Sequence, residues 1–89
     1  MAIVSLTTHL RDIARIDRAP YEGDDVATVL NAVFDDHPRL RSYVVDEQGR
    51  VRKHIAVFVD GVLQRGPQAL ARPVSANGEV VVMQALSGG

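Results

Sequence analysis

Hydrophobic residues in this chain fall into two rhythms, and the changes between them outline the elements. Near the start, "IVSLT" alternates, with Val4 and Leu6 on one side and Ile3, Ser5 and Thr7 on the other, the period of a half-buried strand. "ARIDRA", with Ile16 set between charges, is a second strand candidate that would pair with the first through the intervening "HLRDI". From Val26 the period lengthens. Val26, Val29, Leu30, Val33 and Phe34 stand at i, i+3, i+4, i+7 and i+8, the stripe of an amphipathic helix. Asp24 or Asp25 is placed to cap its amino end, and Pro38 to stop it. An apolar stretch at Tyr43 to Val45 and a turn signal at Asp46 to Gly49 then lead into a long alternating strand, where Ile55, Val57 and Val59 face one way and Phe58 the other. Asp60-Gly61 marks a tight reversal into a short "VLQ" strand, and "RGPQALARPV", with two prolines, reads as an irregular crossing. After an Asn77-Gly78 turn comes a last strand, with Val80 and Val82 on one face and Val81 and Met83 on the other.

The predicted order is strand, strand, helix, strand, short strand, strand. One helix with a single apolar stripe covers one face of one sheet, so an α+β two-layer domain follows. A chain of 89 residues leaves room for one core. It contains no cysteine, which removes disulfides, thiolate metal sites and a thiol nucleophile. The net charge of −1 supplies no global attraction to nucleic acid or to an anionic membrane. Its distribution is uneven: residues 1–36 hold seven acids against three arginines, whereas Arg39, Arg41, Arg50, Arg52 and Lys53 face only Asp46 and Glu47. That asymmetry allows one acidic end and one basic end that would steer a protein partner, but scattered surface charge accounts for it more simply. No apolar run reaches membrane-spanning length, and "MAIVSLTTHL" lacks the pattern of a secretory signal, so a cytoplasmic protein is expected.

Candidate chemistry is sparse. His9, His37 and His54 show no ligand spacing, and Asp35, Asp36 and His37 read as solvated residues at a helix end, so no metal site is expected. Ser5, Ser42, Ser75 and Ser87 lack a nucleophile-elbow context. Arg50, Arg52 and Lys53 alternate as on a strand, but only Tyr43 and Phe58 are near for base stacking, which favours a solvated face over a nucleic-acid surface. The remaining feature is the close, "QALSGG": the chain is expected to leave the sheet near Ala85, and the two glycines at the end of the four residues that follow have no side chains and can enter a narrow channel.

With those elements in that order, the capped helix followed by "HP", the "VFVDG" strand and reversal, and the closing "NGEVVVMQALSGG", the chain resembles the ubiquitin-like β-grasp sulfur carriers of the MoaD, ThiS and CysO group. It departs from the group's usual Gly-Asp-Glu-Val at Asn77, Gly78, Glu79 and Val80, and from its proline before the tail at Gln84 and Ala85. The resemblance implies a β-grasp domain over residues 1–85, a mixed sheet of four to five strands with one main helix on one face, and a flexible tail over 86–89. It implies a carrier, not an enzyme. A MoeB/ThiF-like adenylating partner would use ATP and Mg to activate the Gly89 carboxylate, with Gly88 beside it. A sulfur donor would convert the adenylate to a thiocarboxylate, and a sulfur-accepting synthase would consume it. The resemblance places the partner patch at Leu63 and Met83 with Val81 and Phe58, continued by Leu86 and Ser87 into the tail, while Thr7 stands where the group can have an aromatic. Packing beneath the "RGPQALARPV" crossing is the alternative for the patch residues. A binding module with inert glycines, or a modifier that passes its acyl group to a lysine, are the rival functions.

Overall fold

The computed structural model describes residues 1–65 and 68–84, apart from the side chain of Thr8. Five strands, β1 (Ala2–Leu6), β2 (Arg18–Tyr21), β3 (Ile55–Val59), β4 (Val62–Gln64) and β5 (Glu79–Gln84), form one mixed sheet in the order β2-β1-β5-β3-β4. β1 and β5 lie parallel at its centre, and every other pairing is antiparallel. This is the α+β arrangement of a β-grasp fold. Three helices accompany the sheet: α1 (Thr8–Ala14), α2 (Val26–Asp36) and α3 (Pro38–Val44).

α2 is the helix expected from the five-residue stripe, and all five members are buried. Asp25, not Asp24, caps it. The Thr28 backbone N–H donates to Asp25 Oδ1 at 2.8 Å, and that bond holds the Asp25 carboxyl below its ordinary range. Pro38 does more than end α2. It is the first residue of α3, where a missing N–H costs nothing, and it keeps His37 out of helical geometry (φ −134°, ψ 74°), so the chain bends there and restarts.

The expectation of one main helix is corrected by α1 and α3. α1 replaces the supposed link "HLRDI"; its Leu10, Ile13 and Ala14 make a stripe only two turns long. Arg15, in the left-handed conformation (φ 59°), closes it by donating its N–H to the Arg11 carbonyl. α3 takes the stretch read as apolar extended chain, burying Leu40 and Val44, and Tyr43 meets His9 of α1 edge-on at 5.7 Å between ring centres. The second strand begins at Arg18 and leaves Ile16 outside. It contains Pro20, which is tolerated because β2 is a sheet edge with one side free of hydrogen-bonding duty.

Core and surface alternate as the pattern requires. Val4, Val57, Val80 and Val82 are essentially inaccessible on the helix side, and together with α2 they form the centre of the core. The Asp60-Gly61 reversal has both residues at positive φ (49° and 84°), the geometry of a two-residue hairpin turn. Asp60 also ties that turn to β5: its N–H donates to the Glu79 carbonyl, and its Oδ1 accepts the Glu79 N–H, both at 2.9 Å. The 65–74 crossing holds a 3-10 turn at Ala69–Ala71, and its bonds run to the start of α2, from Val26 N–H to the Arg72 carbonyl and from Val74 N–H to the Asp24 carbonyl. Its part from 69 to 74 therefore lies on the helix side of the sheet.

Candidate functional site

Register decides which side chains meet on the face away from the helices. Val81 of β5 pairs with Ser5 of β1 and Phe58 of β3, and Phe58 in turn with Leu63 of β4, so Ser5, Val81, Phe58 and Leu63 form one row across four strands. One pleat along, Met83 stands opposite Ala56. Each of these side chains is half-buried, while their chain neighbours Ile55, Val57, Val59, Val80 and Val82 are in the core. Phe58, Leu63, Val81 and Met83 thus share one apolar patch. An uncovered apolar sheet face of this kind is a candidate protein-docking surface.

The edges of the patch are polar. Arg18 of β2 and Glu79 of β5 form an ion pair at 3.6 Å on the same face, beside Ile3. Sequence reasoning had put Ile3 on this side without assigning it to the patch, and had overlooked Ala56; the alternation that singled out Ile55 and Val57 as core assigns Ala56 to the open face equally well. Thr7, just past β1, has its hydroxyl oxygen buried without a hydrogen-bond partner among the described residues, although its N–H donates to the Val82 carbonyl.

Packing beneath residues 69–74 of the crossing does not account for Phe58, Val81 and Met83, because that part is on the other side of the sheet. Leu63 is the border case. It belongs to the open-face row, yet also lines a groove with Ala69 and Leu70 of the crossing. The residues from Ala85 onward, including Leu86, Ser87, Gly88 and Gly89, lie outside the described residues. Gln84, the last described residue, pairs with Ile55, which places the end of β5 at the start of β3.

Arg50, Arg52 and Lys53 are not on a strand. Asp46 Oδ1 accepts the N–H groups of Gln48 and Arg50 to build a turn, which Gly49 closes at φ 81°, and β3 begins only at Ile55. Together with Arg65, these three cations line the groove beside the β5 end. At the opposite end of the sheet, Glu22, Asp24 and Asp25 gather around Met1. The segregation of charge is partial: Asp17, from the acidic first part of the chain, accepts the Leu6 N–H beside Val82 and pairs with Arg11, so it lies toward the β5 end, away from Glu22, Asp24 and Asp25. Asp36, read as solvated, is beside Tyr21; burial first, and then that carboxylate, push the Tyr21 hydroxyl up to about 12.

No helix among the described residues is long and apolar enough to cross a membrane. Neither a protein-family model nor a curated protein matches the sequence. Solved structures do. The small archaeal modifier protein SAMP1 of Haloferax volcanii is 27% identical, superposes with a TM-score of 0.81, and the match covers 99% of this chain and 98% of that one. CysO of Amycolatopsis orientalis, solved in complex with BexX, is 22% identical with a TM-score of 0.88 over the whole of both chains. CysO of Mycobacterium tuberculosis is 18% identical with a TM-score of 0.85, over 97% of this chain and all of that one. The likeness to ubiquitin-like carriers read from short motifs thus extends over the entire backbone.

Proposed function

From the premise that this is a ubiquitin-like carrier fold with one uncovered apolar face, we propose that the chain is a sulfur carrier whose reacting group is the Gly89 carboxylate. The observation that carries the reading is the position of the patch: Val81 and Met83 lie on β5 itself, the strand that runs into the glycine tail. A protein that binds this face has the tail within reach of its own active site. CysO of Amycolatopsis orientalis is found bound to BexX, so a chain of this shape does dock a second protein.

The chemistry follows from the carboxylate. It is anionic and resonance-stabilised, so it resists nucleophiles until an oxygen becomes part of a good leaving group. An adenylating partner of the MoeB/ThiF type would transfer AMP from Mg-ATP to the Gly89 carboxylate, releasing pyrophosphate. Sulfide or a donor persulfide would then attack the acyl carbon and expel AMP, and in the persulfide case a reductant or second thiol cleaves the acyl disulfide. The product is a thiocarboxylate for a sulfur-accepting synthase. ATP and Mg belong to the partner, and this chain supplies the acyl group, the stalk and the docking face, as a carrier and not a catalyst. Such chemistry belongs in the cytoplasm, where ATP is available.

Incubation with an adenylating enzyme, ATP and a sulfide source, followed by intact-mass measurement, is expected to show one sulfur-for-oxygen exchange, a gain of about 16 Da, that disappears when Gly89 is deleted. An unchanged mass with every such enzyme overturns the reading. The likeness to a modifier protein favours a second one, in which the same adenylate passes its acyl group to a lysine of another protein. Higher-mass adducts in the same experiment distinguish it.

A further inference from the structure

β4 is shorter than β3: Val57, Phe58 and Val59 have partners on it, while among the described residues Ile55 and Ala56 have none on that side. Beside that corner of the sheet lies a groove of about 590 Å³. Its floor is apolar, made by Val51, Ile55, Ala56, Leu63, Ala69 and Leu70. Its polar lining is one-signed, with Arg50, Arg52, Lys53 and Arg65 and no acidic residue. The four cations are exposed. Arg50 is partly neutralised by Asp46 at 3.7 Å and bonds the Gln48 side-chain carbonyl, and Arg52 donates through Nε to the Ser42 carbonyl at 2.8 Å. Lys53 and Arg65 form no ion pair among the described residues.

We propose that this groove is the docking site for an acidic, partly apolar segment of the partner protein. The identity of that partner as the activating or sulfur-accepting enzyme rests on the carrier reading above; the chemistry of the segment does not. Charge complementarity selects the occupant, because four cations around an apolar floor attract carboxylates and then reward burial of the aliphatic groups between them. Continuity with the patch places it. Leu63 and Ala56 belong both to the groove and to the open face, so one partner surface covers the two together. The acidic group at Glu22, Asp24 and Asp25 sits at the other end of β5, about 17 Å away along the strand. An oligonucleotide fits less well, since no aromatic residue lines the groove.

The test is a titration of the full, isotope-labelled chain with a short synthetic peptide of mixed glutamate and leucine, followed by backbone amide shifts at low salt. A matched peptide with glutamine for every glutamate is the control. Saturating shifts are expected at Val51, Ile55, Ala56, Leu63 and Leu70 with the acidic peptide alone. The Lys53→Glu/Arg65→Glu variant is expected to weaken binding at least tenfold, on the order of the loss from reversing two rim charges. Its own spectral dispersion reports that it is folded. Equal binding of the glutamine peptide, shifts confined to Val81 and Met83, no shifts, or displacement of the peptide by inorganic phosphate or by single-stranded RNA at lower concentration would each overturn the proposal. Peptide binding without sulfur exchange leaves the groove in place and removes the carrier reading, and the reverse result removes the groove alone.

Discussion

Val81 and Val82 are adjacent, chemically identical and on opposite sides of β5, so the same substitution at each measures what lies on either face. Val82 is wholly inaccessible, between Leu6 of β1 and Val57 of β3. Val82→Ala removes two methyl groups at about 0.8 kcal/mol each and leaves an enclosed void, for a loss of about 2 to 3 kcal/mol. In a domain of this size that lowers Tm by about 10 °C or more. Val81 is half-buried, with no layer above it to enclose a void, so Val81→Ala is expected to cost less than about 1 kcal/mol. Urea unfolding followed by far-ultraviolet circular dichroism gives both values, with an unchanged m-value as the sign that unfolding is still two-state. Association with an adenylating partner should move the opposite way: Val81→Ala weakens it, whereas folded Val82→Ala leaves it intact. Equal stability losses at the two positions would mean that the face is covered, and would refute the docking argument at its base.

Gly23→Ala should be severe, because a Cβ there would lie 2.7 Å from Val29 Cγ2 and 2.8 Å from the Val29 backbone nitrogen; a loss of about 2 kcal/mol or more is expected in the same unfolding assay. Asp25→Ala should cost about 1 kcal/mol at neutral pH. Because the Asp25 carboxyl is held below its ordinary value of 3.8, its stabilisation is present above that value and fades as pH falls through the folded-state value, so parent and variant curves should converge in acid. Tyr21, with its hydroxyl raised to about 12, should supply a late phase in an alkaline absorbance titration that Tyr21→Phe abolishes; its contribution to stability is complete below pH 10 and is lost as pH rises through 12. Thr7→Val removes a buried hydroxyl without a partner and should leave stability unchanged or raise it by up to about 1 kcal/mol in thermal unfolding.

The sheet was legible in the sequence wherever one face is buried and the other open. β1, β3 and β5 each alternate cleanly, and alternation reports both the strand and the side each residue takes, which is why Phe58, Val81 and Met83 came together as expected. α2 was legible because an eleven-residue helix repeats its stripe often enough to be distinguished from chance. The two seven-residue helices were not. Leu10, Ile13 and Ala14 amount to a single repeat, and α3 carries Pro38 where a proline ordinarily signals an ending; both are held by packing rather than by local preference, α1 against β5 and α3, and α3 against α1 and α2. The groove was invisible for a different reason. Arg65 is distant in sequence from Arg50, Arg52 and Lys53, and only the folded chain brings them to one groove.

The parallel pairing of β1 with β5 joins almost the first residues of the chain to almost the last, Ile3 with Glu79 and Leu6 with Val82. During synthesis, β1 has to wait for nearly everything after it before its inner edge is filled, a slow, non-local closure. A nascent or truncated product lacking the final strand loses the centre of the sheet and, with Val81 and Met83, half of the apolar face proposed for docking. Completeness of that face is thereby a report on the topology: a chain that presents all four of its apolar residues has already been translated through β5.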